Sequence, residues 1–256
     1  ALGGAGTQDA ALAFGGCGIY RYSCTEEYDG TSWSNGGAMG NYARNDLAGA
    51  GTQNAGLSFG GFDGSYDAVT CTEEYNGSSW STAGALSLAR CSLGGAGTQD
   101  AALAFGGLAN SPTGVVACTE EYDGSSWSTG GALQVSRFQL AGAGTTTAGL
   151  AIGGKDSSQT TYQSCTEEYN VGTTTCTHKK TFKYDDTTGV VDVSGSFEIT
   201  GSAAFLYSSG SAGVSAWSTG GAMQVGRDSL AGAGTQDAGL AFGGCTNTTR
   251  VACTEE

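Results

Sequence analysis

The sequence predicts an all-β chain folded as a β-propeller of four-stranded units, and three observations carry that prediction. The stretch GAGTQDAALAFGG at 4–16 returns with small changes at 49–61, 95–107, 142–154 and 232–244. Its Gly6, Gly51, Gly97, Gly144 and Gly234 stand 45, 46, 47 and 90 residues apart. Trp33, Trp80, Trp127 and Trp217 keep the same beat, with steps of 47, 47 and 90. Between these landmarks lies an octet, EEYDGTSW at 26–33, EEYNGSSW at 73–80 and EEYDGSSW at 120–127, that reads as a tight hairpin. A period of this length in a strand-rich chain means propeller blades or a solenoid.

Each unit reads as four short antiparallel strands and no helix. Strand A is the LAGAGT segment, whose glycines suit a place where neighbouring units converge and bulky side chains would collide. A Gln-Asp or Gln-Asn turn leads to strand B, ALAFGG. A connection of variable sequence follows, and then strand C, ACTEEY. Asp or Asn followed by Gly then reverses the chain. A two-residue type I′ turn needs φ > 0 at both central positions, which these residues tolerate. Strand D is SSWS, and the Tyr and Trp that flank the turn suit a half-buried pleated surface.

A fourth copy of the octet starts at 167–170 and breaks off, and Trp217 resumes the pattern. The intervening text alternates in strand fashion at Val191 and Val193 and at Phe197 and Ile199, and GSAAFLYSSG echoes strand B. Residues 171–184 are therefore expected to be strand D of unit four, and 187–217 an eroded unit five, making six. The alternative is five units with 171–216 as an insertion. Completing the repeat that ends at 254–256 would take about 18 more residues, giving about 274, or close to 45.7 per unit over six.

Glycine fills 46 of 256 positions, but a disordered Gly-rich chain would not phase its Phe, Tyr and Trp over steps of about 45 residues. The length suffices for one closed domain over 1–256 with a substantial core. With 24 acidic and 10 basic residues the net charge is −14, which disfavours nucleic acid as a partner. About ten of the acids are paired glutamates in TEE motifs. Adjacent strand residues point to opposite faces, so one Glu of each pair should meet a neighbouring unit. Arg44, Arg90, Arg137 and Arg227 recur once per unit and are the natural partners; an acidic calcium site between units is the alternative. The chain holds no apolar run of eighteen residues, so no membrane-spanning helix is expected. Opening at strand A without an initiator Met and stopping inside strand C, it is expected to be a processed product, a fragment or the ordered part of something longer.

Catalytic chemistry finds little to work with. His178 is the single histidine and sits beside Lys179 and Lys180, which excludes multi-His metal centres. The Gly-rich stretches recur in every unit and none opens a helix, so none is a phosphate loop. Every Glu pair is a repeat feature, whereas a catalytic residue should break the symmetry. No enzyme, cofactor or metal is expected. Of nine cysteines, Cys24, Cys71, Cys118, Cys165 and Cys253 share one slot before TEE, where a small buried hydrophobe fits. Cys17 and Cys245 follow the double glycine and face strand C, so Cys17–Cys24 and Cys245–Cys253 are candidate disulfides. Cys91 and Cys176 have no evident partner.

A double glycine closing strand B, a Tyr ending strand C, a Trp in strand D and an Arg after it together resemble the Kelch repeat. The Tyr-to-Trp spacing, with four residues between, is shorter than in the usual Kelch unit. The wording GTQxAxLxFGG followed by TEEYxGxSW resembles more closely the Kelch-like arrays encoded by marine bacteriophages. The resemblance covers all but about 45 residues. It implies a non-enzymatic binding or structural module at a virion surface: a tail fibre, an adhesin or a capsid appendage. Its partners would be other virion proteins or a host-surface protein or glycan. A cellular Kelch-type interaction module or a lectin, secreted or cytoplasmic, is the competing expectation.

Comparing the repeats also picks a binding end. In a four-strand meander the A–B and C–D turns lie at one end and the B–C and D–A connections at the other. The A–B turn barely changes, whereas the B–C segments CGIYRYS, FDGSYDAVT, LANSPTGVVA, KDSSQTTYQS and CTNTTRVA differ completely. Loops on a rigid scaffold carry binding, and exposed aromatics are favoured contacts. The candidates are Tyr20, Tyr22, Phe62, Tyr66 and Tyr162, with Tyr42 and Phe138 on neighbouring D–A segments.

Overall fold

The computed structural model describes residues 1–18, 20–40, 43–63, 65, 67–158, 161–172, 183–185, 190–192, 214–246 and 249–255. All regular structure there is β. The chain divides into two compact units, one of Ala1–Val171 with Ser215–Glu256, the other Gly172–Val214.

The first unit contains five meander sheets, four with strands A to D in chain order and the fifth with A to C. Sheet one is Gly3–Gly6, Ala11–Phe14, Thr25–Tyr28 and Trp33–Asn35; sheet two is Ala48–Thr52, Ala55–Phe59, Thr72–Tyr75 and Trp80–Thr82. Sheet three is Gly94–Gly97, Ala102–Phe105, Thr119–Tyr122 and Trp127–Gly130. Sheet four is Ala141–Gly144, Ala148–Ile152, Thr166–Gly172 and Val214–Thr219, and sheet five is Ala231–Gly234, Gly239–Phe242 and Thr254–Glu255. Register repeats from sheet to sheet: Phe14 faces Thr25, Phe59 faces Thr72 and Phe105 faces Thr119.

The A strands lie side by side in succession and line a cavity of about 260 Å³, walled only by glycine and alanine. Close approach explains the composition. A β-carbon placed on Gly49 would stand 2.6 Å from the carbonyl oxygen of Gly4, and one on Gly232 3.0 Å from that of Gly142.

Core side chains fill the spaces between successive sheets. In sheets two to four the strand D Trp lies against the strand B Phe of the sheet before it. Trp80 meets Phe14, Trp127 meets Phe59 and Trp217 meets Phe105, with ring centroids 4.9, 5.0 and 4.9 Å apart. Each indole N–H donates to a Thr hydroxyl of that earlier sheet: Trp80 to Thr25 at 2.8 Å, Trp127 to Thr72 at 3.0 Å and Trp217 to Thr119 at 2.9 Å. Indole burial thus leaves no donor unpaired.

Three sequence expectations need correction. First, Val214–Thr219 with Trp217 is strand D of sheet four, so 187–217 does not build a fifth unit. A strand A of sheet five adjoins that of sheet four, which leaves no place for a degenerate sheet between them. The 90-residue step is one repeat plus an insertion in the C–D connection, as in the five-unit alternative. In the inserted unit, Lys183–Asp185 pairs antiparallel with Val190–Asp192. Val193, Phe197, Ile199 and the stretch GSAAFLYSSG lie outside the described residues.

Second, the Asp-Gly and Asn-Gly reversals are four-residue turns. Tyr75 pairs with Trp80, only Gly77 of the pair takes positive φ (88°), and Asn76 accepts from the amides of Ser78 (3.0 Å) and Ser79 (2.9 Å) through its side chain. A side-chain acceptor that satisfies two loop amides replaces the left-handed Asn that a type I′ turn demands.

Third, Cys17, Cys24, Cys245 and Cys253 are free thiols. Gly15 and Gly16 both take positive φ (67° and 95°) and turn the chain away from strand C, so Cys17 bridges to Arg21 instead of Cys24. Cys245 likewise bridges to Arg250.

Candidate functional site

Two kinds of residue compete for a functional reading: the repeated charged ones, which lie between sheets, and the variable ones, which lie at the B–C end. The first Glu of the TEE motif in sheets two to five meets an arginine from the preceding D–A segment. Arg44 reaches Glu73 at 2.8 Å, Arg90 reaches Glu120 at 3.0 Å, Arg227 reaches Glu255 at 2.9 Å, and Arg137 pairs with Glu167. All four arginines are fully buried. In sheets one to three the second Glu serves the other face, where it accepts from the Tyr hydroxyl of the next sheet. Tyr122 donates to Glu74 at 2.7 Å, while Tyr75 donates to Glu27 and Tyr169 to Glu121. Burial, and then hydrogen bonding to the carboxylate, push these three phenols above the ordinary tyrosine value. The repeated acids and arginines are therefore joints of the scaffold.

The uniform turns are structural too. Gln53 and Gln99 of the A–B turns each donate at 2.7 Å to the strand C Tyr carbonyl of the previous sheet, Tyr28 and Tyr75. At the other end, Asp46, Ser92, Gln139 and Ser229 take positive φ between 52° and 55°. Their backbones form a belt: Ser92 donates to Asp46, Gln139 to Ser92 and Ser229 to Gln139, at 2.7, 2.7 and 2.8 Å. Sequence reading missed this belt because the four residues share conformation and not type.

The belt supports the variable segments. Among the candidate contact residues, Tyr20 is 76% exposed and Tyr22 is also exposed. Phe62 is half-buried and bridges to Asn45 and Ala68, and Tyr162 is half-buried under the Lys155 ammonium, 4.8 Å from its ring centroid. Phe138 is buried, its strand paired with Asp156 and Lys155, so it is not a contact residue. Tyr42 and Tyr66 lie outside the described residues. The structure thus leaves Tyr20 and Tyr22, both on the B–C segment of sheet one, as exposed aromatics at this end.

Among the described residues no cluster of three His, Cys, Asp or Glu side chains has metal-binding geometry, and no helix is long and apolar enough to cross a membrane. No known family and no curated protein matches the chain.

Proposed function

We propose that the five sheets are blades of a Kelch-like propeller acting as a non-enzymatic binding module, with the B–C segments as its contact surface. One observation carries the reading. Most of the repeated acids, arginines, tryptophans and A–B glutamines have structural partners inside the scaffold, while Tyr20 and Tyr22 stand exposed on a variable loop. Exposed tyrosine offers a flat apolar ring with a polar tip, suited to protein or glycan. The resemblance to phage-encoded arrays favours a virion appendage, with other virion proteins or a host-surface protein or glycan as partner. A cellular interaction module would use the same surface.

Replacing Tyr20 and Tyr22 together with Ser tests this. Attachment to host cells or to the partner should be lost while the unfolding midpoint stays put. Retained attachment, with loss instead when the Asn76–Ser79 type of turn is altered, would place binding at the opposite end.

A further inference from the structure

We propose that Asn76 is a self-modifying site, whose side-chain amide hydrolyses in the folded protein to a carboxylate with loss of ammonia. The inference is independent of the contact surface above and rests on the C–D turns. In an Asn-Gly pair the glycine nitrogen can reach the preceding side-chain amide readily, because glycine has no β-carbon in the way and a freer backbone. The chain holds two such pairs, Asn35-Gly36 and Asn76-Gly77. Their sequence alone does not separate them, and their surroundings do.

Asn35 is held in strand D of sheet one, opposite Glu26, and the Gly36 N–H donates to the carbonyl of Thr25 at 2.9 Å. The attacking nitrogen of that pair is therefore engaged. Asn76 is exposed at the tip of its turn, and the Gly77 N–H has no acceptor among the described residues. Four donors converge instead on the amide oxygen of Asn76. They are the amide of Ser78 (3.0 Å) and its Oγ (3.0 Å), and the amide of Ser79 (2.9 Å) and its Oγ (3.4 Å). Donors already in place on an oxygen where negative charge develops lower the barrier to attack on its carbon.

In the first step Gly77 N bonds to Asn76 Cγ and gives its proton to water, while the carbonyl electron pair moves onto Oδ1 under these donors. Return of that pair expels the amino group, which takes a proton from water and leaves as ammonia, closing a cyclic imide. Water then adds at Cγ and the Cγ–N bond breaks, which returns a proton to Gly77 N and leaves a carboxylate. The sum is one water consumed and one ammonia released. The fold has a place for the product, since sheets one and three carry Asp29 and Asp123 at this point of the turn. Asp29 accepts from the amides of Thr31 and Ser32 at 2.8 Å each, and Asp123 from those of Ser125 at 2.9 Å and Ser126 at 2.8 Å. Hydrogen bonds from Ser32 and Thr31 hold the Asp29 carboxyl below its ordinary value, as those from Ser126 and Ser125 do for Asp123. A carboxylate at position 76 thus inherits donors suited to a charge. The isomeric product, whose main chain runs through Cγ, lengthens the turn and disturbs the bond from the Asn76 amide to the Ser79 carbonyl at 3.2 Å, so the turn favours ordinary aspartate.

The test holds the purified 256-residue protein in mildly alkaline buffer and follows amide loss by mass spectrometry. Cleavage after arginine places Asn35 in peptide 22–44 and Asn76 in peptide 45–90, so each pair is read separately. In the native protein Asn76 should convert at least about tenfold faster than Asn35, the equivalent of one or two hydrogen bonds. In concentrated urea the two should react alike. Ser78→Ala combined with Ser79→Ala should slow Asn76 by about two- to tenfold, since two of its four donors are lost. The product should be cut by a protease that recognises ordinary aspartate, and the Asn76→Asp variant should melt within about 4 °C of the parent. Equal native rates for the two pairs, an Asn76 rate indifferent to the serine hydroxyls, a mainly isoaspartyl product, or an Asn76→Asp variant that melts well below the parent would each overturn the proposal.

Discussion

Glu120→Gln and Glu26→Gln make the same chemical change at the same repeat position, and they should differ in cost by several kcal/mol. Glu120 is buried and accepts from Arg90 at 3.0 Å and from the Ser87 amide at 2.7 Å. Arg90 is itself fully buried, so the neutral amide leaves its charge without a counter-ion, which typically costs about 3–5 kcal/mol. Against a domain stability of about 5–15 kcal/mol, that is about a fifth of the whole or more. Glu26 is exposed, so its substitution should stay within about 0.5 kcal/mol. In urea, with a slope of about 1–3 kcal/mol/M, tryptophan fluorescence should show the Glu120→Gln midpoint falling by about 1–5 M and the Glu26→Gln midpoint barely moving. A double change of Arg90 and Glu120 to Met should recover much of the loss, because an apolar pair of similar size removes both desolvated charges. Equal midpoint shifts for the two single variants would refute the reasoning, since the cost would then not come from the buried pair.

Alkali should also destabilise the array. Tyr75, Tyr122 and Tyr169 are held above the ordinary phenol value of 10.0, so above pH 10 the unfolded chain releases protons that the folded one keeps. Stability should therefore fall as pH rises past 10, and Tyr122→Phe should make that fall shallower in pH-dependent unfolding. Thiol labelling of the native protein should modify exposed Cys17 and Cys24 and spare Cys91, whose thiol burial pushes up to about 12; rapid Cys91 alkylation would contradict its placement. Replacing 170–216 with Asp-Gly-Ser-Ser should restore the hairpin of the other sheets and leave the thermal midpoint within about 4 °C. Loss of the cooperative transition would mean that sheet four needs the insertion.

Much of the scaffold was legible because repetition multiplies each signal. The pairing of arginine with the first Glu could be read from one of each per unit, and the strand order from the phase of Phe, Tyr and Trp. The insertion was misread as an eroded unit because its alternating Val and Phe satisfy a strand pattern wherever they lie. Periodicity reports strand character, but only pairing says which sheet owns the strand. The disulfide expectation failed for a local reason. Counting positions along a hairpin assumes an unbroken ladder, and the positive φ of Gly15 and Gly16 ends it before Cys17.

The variable segments are variable for more than one reason. Nearly identical sheets offer nearly identical faces, so nothing in the shared Trp, Tyr, Glu and Arg contacts distinguishes one interface from the next. The B–C and D–A segments do distinguish them. Arg21 donates to Asn45 at 2.7 Å, linking the first loop to the linker between sheets one and two. Asn110 exchanges hydrogen bonds with the backbone of Ala68 at 2.9 and 3.1 Å, joining the loops of sheets two and three. Lys155 pairs with buried Asp228 at 2.7 Å, joining the loop of sheet four to the linker that follows it. Among the described residues each contact occurs once, and it would be lost if sheets paired out of order. In an array whose other contacts repeat, such single-use contacts give the native order an advantage over permuted or exchanged ones. This accounts for the variation at Asn45, Asn110, Lys155 and Asp228 without a ligand. It also narrows the binding reading to the side chains of sheet one that this role leaves exposed, Tyr20 and Tyr22.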